Sequence, residues 1–273
     1  VKGSATPEPG RWSSDLDDPL PHESLDMAIF AGLVRRTAAE FRELGLSHGD
    51  RAIVFVPMSP PLYVAMTALQ RIGAIPVFLD SWARRGHLGA SAHAVTPKAL
   101  ITFEQAFQLC AQTPQLADLP IKISVGLVTQ SYSAALEQLM QTPRDAPVQP
   151  VEREATALVT FTTGSSGTPK GANRTHRFLA AQHYALNRCL HYTEADVDLP
   201  VFPIFSLNNI AGGVPTVIPG IDVDSPGDRD PLILLTQMRV CAVTCATLSP
   251  SHFNGLRTIA WCMGSACQDC DAR

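Results

Sequence analysis

The sequence predicts an α/β fold in which layered βαβ sheets are flanked by helices, and three features carry that prediction. Short β-branched runs alternate with segments whose apolar residues recur at helical spacing, glycines fall just past several of those segments, and a stretch rich in glycine and hydroxyl residues follows directly on an apolar run. Such alternation implies right-handed crossovers in a parallel sheet, and open sheets of this kind bind ligands at the carboxyl ends of their strands.

Residues 1–23, with Pro7, Pro9, Pro19 and Pro21 among acidic and Ser residues, read as an extended arm. From Ser24 to Leu44 the residues Ile29, Leu33, Phe41 and Leu44 fall at helical spacing, and Gly45 supplies the stop. Arg51 to Val56 reads as a strand, Pro60 to Ile72 as a helix with Ser59 at its N-cap and Gly73 past its end, and Ile75 to Leu79 as a second strand. The alternation continues with a strand at Ala99 to Phe103, a helix at Glu104 to Ala111, a strand at Ile121 to Val125 and a helix at Tyr132 to Met140. Residues 24–140 thus form a first βα layer. Residues 141–154, with Pro143, Pro147 and Pro150 among charges, have linker composition.

A second part covers residues 155–260. It opens with a buried strand at Ala155 to Phe161, followed by the glycine-rich loop and a helix from about His176 to Leu190. Beyond lie an apolar segment from Leu199 to Phe205, a turn at Gly212-Gly213, a strand at Val214 to Ile218, a helix at Pro231 to Arg239 and a strand at Cys241 to Cys245. Residues 261–273 are a Cys-rich tail of different composition.

Composition excludes several classes. With 45% hydrophobic and 17% charged residues the chain can bury a substantial core, and a formal net charge of −4 offers no basic field for nucleic acid. No stretch reaches the length of a membrane span and no signal-peptide core opens the chain, so the expected compartment is cytoplasmic. Seven irregularly spaced cysteines suit a reducing compartment better than a disulfide framework. Cys262, Cys267 and Cys270 contain one Cys-x-x-Cys, with His252 upstream, which falls short of the four ligands a structural zinc needs.

The chemistry concentrates in Phe161-Thr162-Thr163-Gly164-Ser165-Ser166-Gly167-Thr168-Pro169-Lys170-Gly171. Glycines let backbone amides converge on a ligand, and hydroxyls with a lysine ammonium add donors, the set a polyphosphate needs. The Walker A spacing fails because Lys170 follows Pro169 and precedes Gly171, and no Gly-x-Ser-x-Gly nucleophile elbow can be read through Gly164 and Gly167.

This segment resembles the phosphate-loop signature of the adenylate-forming superfamily, which includes acyl-CoA synthetases, peptide-synthetase adenylation domains and luciferases. Collinear blocks support the likeness: Gly45 to Val56, Leu69 to Asp80, and Leu199-Pro200-Val201-Phe202-Pro203-Ile204-Phe205-Ser206-Leu207. Asp198 to Phe205 and Val217 to Asp222, with a small Ser206 where acyl-CoA synthetases commonly carry His, lean toward the OleC-type β-lactone synthetases and fatty-acyl ligases.

The resemblance implies the incomplete N-terminal domain of an enzyme that uses ATP and Mg²⁺ to activate a small-molecule carboxylic acid, fatty or β-hydroxy fatty, as an acyl-adenylate. The acyl group would then pass to CoA or close to a β-lactone. It assigns phosphate binding to Thr162, Thr163, Gly164, Ser165, Ser166, Gly167, Thr168, Pro169, Lys170 and Gly171, the acyl pocket to Phe205, Ser206 and Asn209, and no catalytic or metal-binding residue to this chain. His176 reads as a capping or packing residue.

The likeness dissolves after Ala260, and the adenine-binding segment, the magnesium-binding Glu, the ribose-binding Asp and the C-terminal domain with its catalytic lysine are absent from the sequence. The expectation is therefore a truncated member. Two other readings stand beside it: a noncatalytic nucleotide-binding remnant, and a subunit completed by a separately encoded C-terminal half.

Overall fold

Strand and helix order follow from two periodicities, each buried on a different schedule. In the computed structural model the described residues are 24–79, 85–126, 132–163, 169–221 and 230–268, with backbone alone for 85–87, 162, 163, 169 and 260–268. Helix α1 (Met27–Glu43) is capped by Asp26, whose carboxylate accepts from the Ile29 amide at 2.7 Å. Its buried stripe is Phe30, Val34, Ala38 and Phe41. That stripe lies one residue round from the expected one, which leaves Ile29 exposed.

Strand β1 (Arg51–Phe55), helix α2 (Pro60–Arg71) and strand β2 (Ile75–Phe78) form the expected crossover. Pro60 and Pro61 suit the first helical turn, where an amide would lack a partner. The Ser59 hydroxyl does not cap the helix: it donates to the Pro57 carbonyl at 2.9 Å. Helix α3 (Arg85–Val95) was not expected, since its glycines and histidines obscure the period. It forms because Leu88, Ala92 and Val95 pack beneath the sheet. Strand β3 (Ala99–Phe103) and helix α4 (Glu104–Ala111) lie where expected, followed by the single turn α5 (Pro114–Ala117) and strand β4 (Ile121–Val125).

Tyr132 to Met140 is not one helix. The Ser133 amide donates to the Lys122 carbonyl at 2.7 Å and Ala134 pairs with Ile123, so the sheet edge captures strand β5 (Ala134–Ala135) and leaves only the short helix α6 (Leu136–Leu139). Residues 144–150 run extended along α1 and α2. The Arg71 guanidinium donates to the Ala146 carbonyl at 2.6 Å, and the Gln149 amide donates to the Arg71 carbonyl at 2.8 Å.

Next come β6 (Thr156–Thr163), β7 (Pro169–Thr175) and α7 (His176–Leu190). The rest comprises β8 (Asp198–Pro200), α8 (Pro203–Gly212), α9 (Asp230–Val240), β9 (Cys245–Thr247) and α10 (Pro250–Gln268). Among the described residues the large sheet runs β5-β4-β3-β1-β2-β6-β7, parallel except for β7. Both faces are buried, as a parallel sheet requires. Ala52 and Val54 face the cluster built with α1 and α2, whereas Ile53 and Phe55 face the cluster built with α3.

A small sheet pairs β8 with β9 over Leu199, Val201 and Leu234. Val214 to Ile218 makes only one bridge, Thr216 to Asp198, because Pro215 and Pro219 have no amide to donate. The strand expected at Cys241 starts later, at Cys245, since Ala242 takes a left-handed turn (φ +50°) out of α9 and returns the Val243 amide to the Met238 carbonyl. The unpredicted α10 starts at Pro250 and runs to Gln268, into the sequence read as a divergent tail.

Two predictions test this frame. Gly73 sits at φ +74°, and a Cβ there would lie 2.6 Å from His48 Nδ1 and 2.9 Å from Gln149 Cγ. Gly73→Ala is expected to lower stability by about 1–3 kcal/mol, read from the urea midpoint. Asp50 accepts from Lys98 Nζ and from the Ser47 amide and hydroxyl, each at 2.8 Å. Burial alone would raise this carboxyl, but those hydrogen bonds together hold it below its ordinary value. A lowered folded value adds stability that is complete above the unfolded carboxylate range and disappears as pH falls through the folded value. Asp50→Asn should therefore cost about 1 kcal/mol at neutral pH, allowing for the half-exposed Lys98, with the deficit closing as unfolding is measured below about pH 4.

Candidate functional site

The glycine-rich segment closes a β-hairpin, which the sequence reading did not foresee. β6 runs parallel to β2, pairing Val77 with Val159 and Phe78 with Thr160, so its carboxyl end points to the edge where β1 to β4 also end. β7 returns antiparallel, with Thr163 opposite Pro169, Thr162 opposite Lys170 and Phe161 opposite Gly171. Of the ten residues expected to bind phosphate, Thr162, Thr163, Pro169, Lys170 and Gly171 stand at this end of the hairpin. Gly164, Ser165, Ser166, Gly167 and Thr168 lie outside the described residues.

Proline is tolerated at the start of β7 because β7 is an edge strand. Gly171 is required by a close approach: a Cβ there would meet the Phe161 ring at 3.2 Å. Lys170 is exposed and makes no hydrogen bond or ion pair with a described residue. Its charge is free to serve a ligand. The neighbouring cations are engaged: Arg174 stacks over Phe178 at 5.3 Å and donates to Thr160, and Arg177 pairs with Glu154 at 2.6 Å.

Thr175 ends the hairpin and caps α7, its hydroxyl accepting from the Phe178 amide at 3.1 Å. His176 is the first residue of α7, half-buried, and burial lowers its pKa. It is a packing residue, with Thr175 in the capping role. Helix α7 has an apolar and a polar side, yet none of its residues is buried. It packs on α8 and so links the hairpin to the predicted acyl residues.

Those residues occupy α8, a helix hidden in what read as a plain apolar segment. Phe205 is half-buried, with its ring 6.3 Å from that of Phe202. Ser206 and Asn209 are fully buried. Asn209 donates to Asp198 Oδ2 at 2.8 Å and Tyr192 donates to the same oxygen at 2.7 Å. Burial, and then this bond to Asp198, push the Tyr192 phenol well above its ordinary value. Asp198, itself fully buried, is the hub of the cluster, and a charge opening an apolar run was the signal for it. The Ser206 and Tyr63 hydroxyls are buried beside each other, and burial pushes the Tyr63 phenol up while its contact with Ser206 opposes that shift.

A half-open cavity of about 430 Å³ lies between α1, α2, α7 and α8. It uses Ile204, Leu207, Asn208 and Ala211 of α8, not Phe205, Ser206 or Asn209. Among the described residues no group of three His, Cys, Asp or Glu could hold a metal, and no helix is long and apolar enough to cross a membrane. His252 bonds through Nδ1 to the Ser249 hydroxyl at the start of α10; the side chains of Cys262 and Cys267, and all of Cys270, lie outside what is described.

A family model described as AMP-binding enzyme matches residues 21–268. The chain is 31% identical over 243 residues to an olefin beta-lactone synthetase of Xanthomonas campestris pv. campestris, covering 86% of this chain and 42% of that protein. It is 30% identical to an indoleacetate–CoA ligase of Aromatoleum aromaticum, covering 81% and 44%. In structure it resembles O-succinylbenzoate coenzyme A synthetase from Bacillus subtilis in complex with ATP and magnesium ion, with a TM-score of 0.65 at 18% identity over 84% of this chain and 45% of that one. The chain thus spans less than half the length of these relatives.

The buried polar cluster separates two kinds of substitution. Asn209→Ala removes a donor from a buried carboxyl and should cost about 1.5–3 kcal/mol in denaturant unfolding, whereas Ser206→Ala removes a neutral hydroxyl beside the Tyr63 phenol and should cost only about 0.5–1.5 kcal/mol.

Proposed function

The chain belongs to the AMP-binding enzyme family, and from that premise we propose that it carries the polyphosphate-binding part of an ATP-dependent acid ligase acting on a fatty or β-hydroxy fatty acid. The observation that carries the reading is the hairpin at the carboxyl edge of the parallel sheet, with Lys170 opposite Thr162 and unengaged by any described residue, and glycine at position 171, where a Cβ would crowd the Phe161 ring at 3.2 Å.

The arrangement suits a triphosphate. Thr162, Thr163, Ser165, Ser166 and Thr168 supply hydroxyl donors, Gly164 and Gly167 allow backbone amides to approach phosphate oxygens, and the Lys170 ammonium offsets charge on the pyrophosphate side. Holding the phosphates there would leave the α-phosphorus open to an acid presented from the α8 side, where Phe205, Ser206 and Asn209 are assigned to the acyl group. Magnesium, when bound with the nucleotide, supplies further charge neutralisation.

Similarity to an olefin beta-lactone synthetase and to CoA ligases supports two fates for the activated acid: closure to a β-lactone or transfer to CoA. The stretch of residues matched to the β-lactone synthetase, with Ser206 in place of a larger side chain, favours the first. A second reading, nucleotide binding without turnover, rests on the hairpin and the exposed Lys170 alone.

Acid-dependent exchange of pyrophosphate into ATP, measured on the full reading frame with a fatty-acid panel, tests the ligase reading, and absence of acid-dependent exchange overturns it. A β-lactone from a β-hydroxy acid identifies the first fate, a CoA thioester the second. Calorimetry with ATP on the 273-residue chain separates binding alone from turnover. Lys170→Met should weaken ATP binding about 10- to 100-fold, the loss of one charge-assisted contact, while leaving the thermal midpoint unchanged because the side chain is exposed.

A further inference from the structure

The cavity between α1, α2, α7 and α8 has a chemistry of its own. Its volume, about 430 Å³, lies within the range of small-molecule sites. Phe30 and Val34 of α1, Leu179 and Leu186 of α7, and Leu207 and Ile210 of α8 make its walls apolar. Two polar atoms in those walls are buried with no hydrogen-bond partner: Gln182 Oε1 and Thr67 Oγ1. A buried polar atom without a partner costs free energy, so this site favours an occupant that supplies one.

Several other polar groups at the cavity have partners, Gln70 Nε2 donating to the Ala157 carbonyl at 3.0 Å among them. His183 Nδ1 bonds to Asn208 Oδ1 at 2.9 Å, and Asn187 Nδ2 bonds to His183 Nε2 at 3.0 Å. The two arginines of the lining are tied to the strap beside them. Arg35 pairs with Asp145 at 3.2 Å, and Arg71 lies 3.8 Å from the same carboxylate while donating to the Ala146 carbonyl. The open demand is therefore for a group that both donates and accepts, placed among apolar walls. A hydroxyl meets it in either orientation of the Gln182 amide, and a carboxylate, which only accepts, does not.

We propose that this cavity binds a neutral medium-chain aliphatic alcohol, its chain against the α1, α7 and α8 walls and its hydroxyl taking up the unpartnered oxygens of Gln182 and Thr67. The site is separate from the hairpin, and neither Ser206 nor Asn209 is among its lining residues, so it stands independently of the ligase reading.

The test is calorimetric titration of the 273-residue chain with 1-decanol. Saturable one-to-one binding is expected, with Gln182→Leu weakening it at least about tenfold, the equivalent of 1.4 kcal/mol. Ala211→Phe, which fills the cavity from α8, should abolish binding while circular dichroism stays that of the parent. Ala31→Phe does the same from α1 should the first variant fail to fold. 1-Chlorodecane, matched in chain but without a hydroxyl, should bind at least tenfold more weakly. No saturable binding would mean that the cavity holds water alone and would overturn the proposal. Undiminished binding to both phenylalanine variants would overturn the location, and decanoate binding as tightly as decanol would overturn the hydroxyl assignment.

Discussion

The parallel pairing of β2 with β6 is the constraint on which the rest of the molecule depends. Val77 opposite Val159 and Phe78 opposite Thr160 join segments separated by the whole of β3, β4 and the strap across α1 and α2. That pairing sets the end of the sheet at which β6 emerges, and hence where the hairpin opens. Reverse the direction, and Lys170 would stand at the amino edge, away from the crevice in which α/β sheets bind ligands. Contacts of such sequence separation are entropically costly to form, and here they are supported by burial of both sheet faces.

Polar groups are distributed in a way that separates frame from function. Where the chain needs a fixed geometry, charges are tied off: Asp50 to Lys98, Asp145 to Arg35, Glu154 to Arg177, and Asp198 to Tyr192 and Asn209. Lys170 has no hydrogen bond or ion pair with a described residue at the hairpin end, and the oxygens of Gln182 and Thr67 lack a partner beside an apolar cleft, as do Asp198 Oδ1 and Asn209 Oδ1 within the polar cluster. The contrast matters because satisfied polar groups hold position, whereas unsatisfied ones are what a ligand can answer. Helix α7 lies between these two places, capped by the last residue of the hairpin and lining the cavity through Gln182 and His183.

Much of the first layer was legible in the sequence. β1, α2, β2, β3, α4 and β4 follow from β-branched runs, proline at a helix start and glycine past a helix end. The misses share a cause. Pro169 to Thr175 contains proline, glycine and asparagine, so nothing local marks β7, which exists because β6 offers an edge to pair with. Ala134 and Ala135 became a strand for the same reason, beside β4. α8 was hidden because an apolar run does not by itself distinguish a strand from a buried helix. For the candidate site, spacing singled out Lys170 and its glycines as candidates, but the engagement of Asn209 with Asp198 could not be read that way, since it joins separate elements through a buried carboxyl.

By itself the sequence determined the α/β class, the donor-rich composition of the glycine and hydroxyl segment and its place after a buried strand. These depend on residue type and short-range period, which one chain segment carries alone. Tertiary structure alone decided that this segment closes a hairpin, that Asn209 serves a buried carboxyl, and that α1, α2, α7 and α8 enclose a cavity. Each of those requires groups distant in sequence to meet, and which polar atoms then find partners is settled only when the elements pack.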